Sequence, residues 1–240
     1  MVDNRRLGWS PTSAQVVFLC NRRTGVGADG LILIQEHPEV DFEMIYFNSD
    51  GSKSLCGNGS RCAIHFAHSL GMISSTTTFL TTDGIHRGEI DGSTVSFELF
   101  DVAEVEELDG NSQFVNTGSP HYLEYRHELD QLNVYEEGRK IRYDERFSPG
   151  GTNVNFVQII EESGLRVRTY ERGVEEETLS CGTGVTAAAL GASLRGIESP
   201  VAIQTRGGNL EVSFERNDAG FKNIFLTGPA TPVYAGKINL

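Results

Sequence analysis

Two of the four cysteines in this chain stand in the same short frame, Cys56-Gly57-Asn58-Gly59 and Cys181-Gly182-Thr183-Gly184. A Cys-Gly-x-Gly frame that opens a helix puts the sulfur where unpaired N–H groups and a partial positive charge favour a thiolate over a thiol. The same N–H groups bind a carboxylate, and glycines without a Cβ let the backbone come close to a ligand. Inverting a carbon beside a carboxylate needs a base to remove its proton and an acid on the opposite face to return one. A thiolate and a thiol can exchange those roles, so such a pair works in both directions. Helix N-termini would stabilise the carboxylate as it gains carbanion character. A lone free cysteine is ordinarily a small buried hydrophobe. Two of them in one repeated glycine-flanked frame point to catalysis instead.

The elements that must position these sulfurs also repeat. Asp41–Asn48 runs into Cys56, and Leu165–Arg172 runs into Cys181; both read as strands. Ser69-Leu70 follows the first cysteine by 13 positions, and Ser193-Leu194 follows the second by 12. Turns at Thr82-Asp83-Gly84 and Arg206-Gly207-Gly208 come next, followed by the alternating runs Ser93–Leu99 and Asn209–Glu215. Each half therefore reads as strand, loop, Cys-Gly-x-Gly, helix, strand, turn, strand. The helix after Cys181 is apolar nearly all round and should be buried. Residues 1–114 and 115–228 form two pseudo-equivalent domains in this reading, with the boundary where Leu108–Ser112 looks like a turn. Seven prolines against 27 glycines fit a tightly turned β fold around two central helices.

Composition narrows the partners. The 240 residues carry 20 Lys and Arg against 33 Asp and Glu, a net charge of −13, which repels phosphate backbones and anionic lipid. No apolar run approaches the roughly 18 residues of a membrane span, and the first residues form no signal core. A cytoplasmic protein with neither nucleic acid nor membrane as partner is expected. Cys20, Cys56, Cys62 and Cys181 read as four free thiols. Gly25–Gly30 matches G-x-G-x-x-G, but the residues after it read as a strand where a dinucleotide site needs a helix. Cys56, Cys62, His65 and His68 lack the spacing of a common zinc site, so no metal is expected. None of Lys53, Lys140, Lys222 and Lys237 has a phosphate-binding context suited to pyridoxal phosphate, and no cofactor is expected.

The sequence resembles the diaminopimelate epimerase family from about Val2 to Leu240. The resemblance is carried by Phe47-Asn48-Ser49-Asp50-Gly51-Ser52, Cys56-Gly57-Asn58-Gly59-Ser60-Arg61-Cys62, Tyr170-Glu171-Arg172-Gly173, Cys181-Gly182-Thr183-Gly184 and Thr227-Gly228-Pro229-Ala230. It implies an α/β (α+β) fold of two pseudo-symmetric domains, each a mostly antiparallel sheet or barrel wrapped around a central helix. It implies cofactor-independent conversion of LL- to meso-diaminopimelate, in lysine and peptidoglycan precursor synthesis, by a homodimer. Cys56 and Cys181 would be the acid and base. Gly57 with Asn58, and Gly182 with Thr183, would hold the α-carboxylate, while Asn48, Asn153, Glu171 and Arg172 would take the distal amino-acid group. The segment 229–240 is expected as a strand returning to the first domain, and the active site is expected in the cleft between the domains. The family's Gly-Asn-Asp-Phe strand is absent ahead of Met1-Val2-Asp3-Asn4, Gly118-Ser119-Pro120-His121 replaces a frequent Gly-Asn-Pro-His, and Gly30 stands where some members carry a pocket glutamine. A two-cysteine proline or hydroxyproline racemase and an inactive truncated homologue are the alternatives.

Overall fold

The computed structural model describes residues 1–160 and 164–238. The chain divides into two compact units: Met1–Phe97 together with the segment from Pro229 onward, and Glu98–Gly228. Among the described residues there are four α-helices.

In the first unit the strands β1 (Val2–Asp3), β2 (Gly30–Gln35), β3 (Phe42–Asn48), β4 (Thr76–Thr81), β5 (Gly84–Asp91) and β6 (Thr94–Leu99) lie side by side in chain order. The β1–β2 and β3–β4 pairs are parallel, and the others are antiparallel. Helix α1 (Ser13–Cys20) lies between β1 and β2 in the chain, and α2 (Gly57–Ser69) connects β3 to β4. The second unit repeats this scheme. Strand β9 (Pro120–Tyr125) runs parallel to β10 (Asn153–Ile160), which pairs antiparallel with β11 (Gly164–Glu171). Beyond β11 come a parallel β13 (Val201–Thr205) and then antiparallel β14 (Gly208–Asn217) and β15 (Gly220–Pro229). Helix α3 (Val134–Arg142) stands in the place of α1, and α4 (Gly182–Ser193) in the place of α2. The second unit adds β7 (Val105–Asp109) and β8 (Ser112–Asn116) on the outer side of β9, and the short β12 (Glu176–Thr178) folds back on β11.

The helices follow from local sequence. Thr12 and Gln15 close a capping box at the start of α1, the side chain of each bonding the backbone N–H of the other. Asn133 caps α3, with Glu136 and Glu137 in its first turn and Arg139, Lys140 and Arg142 in its last, a charge order that suits the helix dipole. The repeat does not predict these two helices, which their caps mark instead. The two cysteine-led helices fall where the repeat puts them. Ten of the twelve residues of α4 are buried, as its all-round apolar pattern requires. Both central helices lie very close to their sheets. A Cβ on Gly88 of β5 would stand 2.5 Å from Ile64 of α2, and one on Gly191 of α4 would stand 2.4 Å from Gln113 of β8. Such separations permit glycine alone without a shift of the neighbour.

The turn at Leu108–Ser112 lies inside the second unit, as the hairpin between β7 and β8, and the units part at Phe97–Glu98. Residues 230–238 carry no strand; Ala230 donates its N–H to Ser93 of the first unit. The Gly25–Gly30 stretch leads into β2 and opens no helix.

Candidate active site

Both frame cysteines occupy helix N-cap positions in extended backbone, Cys56 at φ −134°, ψ 111° and Cys181 at φ −114°, ψ 112°. Cys56 is half-buried and its Sγ accepts from the Gly59 N–H at 3.4 Å. Cys181 is buried; its Sγ lies 3.6 Å from the Thr183 hydroxyl, and no cap bond comes to it from the helix. The amides of Gly57–Asn58 and of Gly182–Thr183 form the first turns of α2 and α4, where a helix leaves donors for an anion.

In the first unit, Asn58 Oδ1 accepts from Arg61 at 2.8 Å one turn along α2. Arg61 is buried, its Nε and Nη1 have no hydrogen-bond partner among the described residues, and burial lowers its pKa from the ordinary arginine value. Asn48 ends β3 and ties the following loop together: its Nδ2 donates to Ser52 Oγ at 2.9 Å, and its Oδ1 accepts from Ser54 at 3.2 Å. Burial pushes the thiols of Cys20 and Cys62 up from the ordinary cysteine value, which suits them to packing rather than to thiolate chemistry.

The second unit gathers more of the predicted residues. Arg172 sits at the turn between β11 and β12, and its backbone N–H donates to Asn153 Oδ1 at 2.9 Å. Asn153 Nδ2 donates to Ser119 Oγ at 3.1 Å, and the same oxygen accepts from Arg172 Nη2 at 3.3 Å. Ser119, noted in the sequence only as a departure from the family pattern, thus joins Asn153 to the guanidinium. Glu171 is the last residue of β11 and half-buried. Asn48 in the first unit holds the place of Glu171 in the second: Ile32, paired with Tyr46, lies against Gly59 as Asn155, paired with Thr169, lies against Gly184, and Asn48 and Glu171 follow Tyr46 and Thr169 by two residues.

Three buried residues outside the predicted set, His121, Asn155 and Thr169, lie in a chain of hydrogen bonds that leads to Thr183, the neighbour of the Cys181 sulfur. His121 Nε2 is 3.0 Å from Thr183 Oγ1, and His121 Nδ1 is 3.1 Å from Asn155 Nδ2. Asn155 Nδ2 also donates to the Tyr122 carbonyl at 3.2 Å, while its Oδ1 accepts from Thr169 at 2.9 Å. Burial, with the charge of Arg172, pushes the His121 pKa down to about 3. The sequence signal was the alternation Asn153-x-Asn155, which puts both amides on one face of a strand.

Among the described residues, no three His, Cys, Asp or Glu side chains are grouped as a metal site needs. Nor is any helix among the described residues long and apolar enough to cross a membrane.

Solved structures share this fold at low sequence identity. A PhzF-family phenazine biosynthesis protein of Bacillus anthracis superposes with a TM-score of 0.74 at 13% identity, covering 95% of this chain and 88% of its own. A hydroxyproline epimerase from Agrobacterium vitis gives 0.65 at 18% identity, covering 92% and 84%. The architecture is therefore that of the two-unit fold found in PhzF proteins and amino-acid epimerases. Sequence relatives narrow the class. The family described as diaminopimelate epimerase matches residues 1–101 and 113–233. The diaminopimelate epimerases of Flavobacterium psychrophilum and Chlorobaculum tepidum are 44% and 42% identical to this chain, over 98% and 100% of it and 93% and 96% of their own lengths. The chain belongs to the diaminopimelate epimerase family and is an isomerase.

Proposed function

We propose that the protein converts LL-2,6-diaminopimelate to the meso isomer without a cofactor, Cys56 and Cys181 serving as the two bases. The observation that carries this reading is the presence, in each unit, of a cysteine at the N-cap of the central helix, inside the family's glycine frame. One sulfur, as thiolate, takes the α-proton, and the C–H electron pair passes into the neighbouring carboxylate. The other sulfur, as thiol, delivers its proton to the opposite face of that carbon. The pair ends with its protonation states exchanged, so the reverse reaction uses the same groups. The reading requires the two sulfurs to address opposite faces of one α-carbon.

Gly57 with Asn58, and Gly182 with Thr183, hold the reacting α-carboxylate through helix-start amides, where charge develops as the proton leaves. Asn48, Asn153, Glu171 and Arg172 take the distal amino-acid group. A guanidinium grips a carboxylate with two parallel bonds, and Glu171 accepts from the ammonium. The tie from Asn153 through Ser119 to Arg172 orders that end before substrate arrives. Family resemblance further supports a cytoplasmic homodimer acting in lysine and peptidoglycan precursor synthesis.

The test is α-proton exchange by NMR, with the reduced protein and LL-diaminopimelate in D2O. Deuterium entering the α-position with formation of the meso isomer, lost in both Cys56→Ala and Cys181→Ala, is the expected result. Formation of the meso isomer that survives either substitution refutes the two-base assignment, whereas exchange with retention in one variant is what a single remaining base gives. Turnover of proline or hydroxyproline in place of diaminopimelate would move the chain to the racemases of cyclic amino acids, and no exchange in folded protein would mark an inactive homologue.

A further inference from the structure

The turn that carries Glu171 and Arg172 is held by one carboxylate. Glu175 closes it, the Glu175 N–H donating to the Glu171 carbonyl at 2.8 Å. The Glu175 backbone lies at φ +60°, in the left-handed region that a glutamate seldom adopts, so its neighbours must hold it there. The side chain shows which neighbours do. Glu175 Oε1 accepts from the Gly173 N–H at 3.0 Å and from Arg142 Nε at 3.2 Å, and pairs with Arg142 Nη2 at 3.1 Å. Oε2 accepts from the hydroxyls of Tyr143 at 3.0 Å and Tyr170 at 3.2 Å. These donors come from the end of α3, from β11 and from the turn itself. Partial burial would raise the pKa of that carboxyl, but the bonds from Gly173, Tyr143 and Arg142 outweigh it and hold the group below the ordinary glutamate value. Burial, with the Glu175 charge, raises the Tyr170 pKa to about 12, so that hydroxyl stays a donor. Arg142 Nη1 and Arg172 Nη1 both reach the Gly150 carbonyl, at 3.3 and 3.5 Å. Two guanidiniums thus meet on one oxygen, and the Glu175 carboxylate offsets the charge of the first.

We infer that Glu175, with Arg142, is a positioning residue that clamps the β11–β12 turn to α3 and so sets where Arg172 points to grip the distal carboxylate of the substrate. The first unit offers an internal comparison. The turn after Asn48, which holds the place of Glu171, is closed within itself: Asp50 Oδ1 accepts from the Ser52 N–H at 2.8 Å and from the Ser52 hydroxyl at 2.6 Å. In the second unit the corresponding turn is anchored by bonds that span 32 and 33 positions of the chain. The anchored turn is the one that carries the guanidinium. Two parallel bonds to a carboxylate need the guanidinium plane in one orientation, and a turn clamped before substrate arrives has no ordering left to undergo on binding.

The inference rests on the reading of Arg172 as the grip on the distal group, so its test pairs kinetics with a measurement that needs no substrate. Glu175→Gly removes the carboxylate at a backbone position that suits glycine, and Glu175→Gln keeps its shape without its charge. With diaminopimelate, Glu175→Gly should raise KM about tenfold and leave kcat within about threefold of the parent, because a remote grip is felt in ground and transition states alike. Glu175→Gln should raise KM by a smaller step, and Arg142→Met should move it in the same direction. Amide hydrogen exchange followed by NMR reads the Arg172 N–H, which donates to Asn153 Oδ1 and not to Glu175. That amide should exchange about tenfold faster in Glu175→Gly, with the amides of α2 unchanged. A folded Glu175→Gly variant with the parent's KM overturns the inference, and so does a fall in kcat at constant KM, the mark of a merely structural loss. A raised KM with unmoved Arg172 exchange overturns it too, since Glu175 would then touch the substrate itself. If the glycine variant does not fold, Glu175→Gln with neither KM nor Arg172 exchange moved overturns it. An unmoved KM in Arg142→Met removes that residue from the clamp. If the parent turns over no diaminopimelate, that reading falls, and faster Arg172 exchange in the variant still upholds the clamp.

Discussion

Adding one methyl group at each of two equivalent positions should have unequal consequences. Gly184 and Gly59 both close the Cys-Gly-x-Gly frame in the first turn of a central helix. A Cβ on Gly184 would stand 2.4 Å from Asn155 Oδ1. That amide is buried and held by Thr169, Tyr122 and His121, so it cannot back away without breaking at least one of those bonds. Overpacking of this kind costs about 1–3 kcal/mol, and a broken buried hydrogen bond adds about 1 kcal/mol. The gain in helix propensity from Gly to Ala returns at most about 1 kcal/mol. The net expectation for Gly184→Ala is a loss of about 1–3 kcal/mol, or about 2–12 °C in Tm for a chain of this size. At Gly59 the nearest atoms are Cys56 Cβ at 3.2 Å, Ile32 Cδ1 at 3.3 Å and Tyr46 Cδ2 at 3.3 Å. Those need give only a few tenths of an ångström, and the propensity gain offsets the crowding, so Gly59→Ala should stay within about 1 kcal/mol of the parent. Thermal and urea unfolding by circular dichroism, run on both variants beside the parent, measures the difference. Equal losses at the two positions, or a Gly184→Ala variant as stable as the parent, would refute the reasoning.

Two further predictions concern the second unit. Ser119→Ala removes the oxygen that accepts from both Asn153 and Arg172; it should raise KM for diaminopimelate roughly tenfold, about the value of one charge-assisted hydrogen bond, and steady-state kinetics that leave KM unchanged would count against an ordering role. His121 supplies a pH signature: its folded pKa, about 3, lies below the ordinary histidine value, so the unfolded chain takes up the proton first as pH falls. The stability contributed by the neutral ring is complete above about pH 6.5 and is lost toward about pH 3, at no more than about 1.4 kcal/mol per pH unit. Urea unfolding through that window should show the slope in the parent and lose it in His121→Gln, whereas an equal slope in both would assign it to other groups.

How much of the site was legible depended on the distance along the chain over which each contact forms. The cysteine-led helices, the strands ahead of them and the turns behind them follow from patterns within a few residues, and the repeat doubled the evidence for each. The frame glycines likewise mark helix starts in the sequence alone. Helices α1 and α3 were legible in principle through the caps at Thr12 and Asn133, but neither carries a repeated motif to draw attention to it. Asn155 shares a strand face with Asn153, but an asparagine in an apolar strand gives no sign of what faces it.

The sequence by itself determined the repeated frame, the placing of both sulfurs at helix starts, the mixed fold and the family, because periodicity, capping and glycine usage are local properties of the chain. Tertiary structure alone decided which side chains surround those sulfurs. The parallel pairing of β9 with β10 sets His121 beside Asn153, within reach of Asn155, and the antiparallel register of β10 with β11 sets Asn155 opposite Thr169. A slip of one residue in either register would turn those side chains to the other face of the sheet. Hydrogen bonds between residues 14, 34 and 62 positions apart depend on how strands pair, and only the folded chain specifies that.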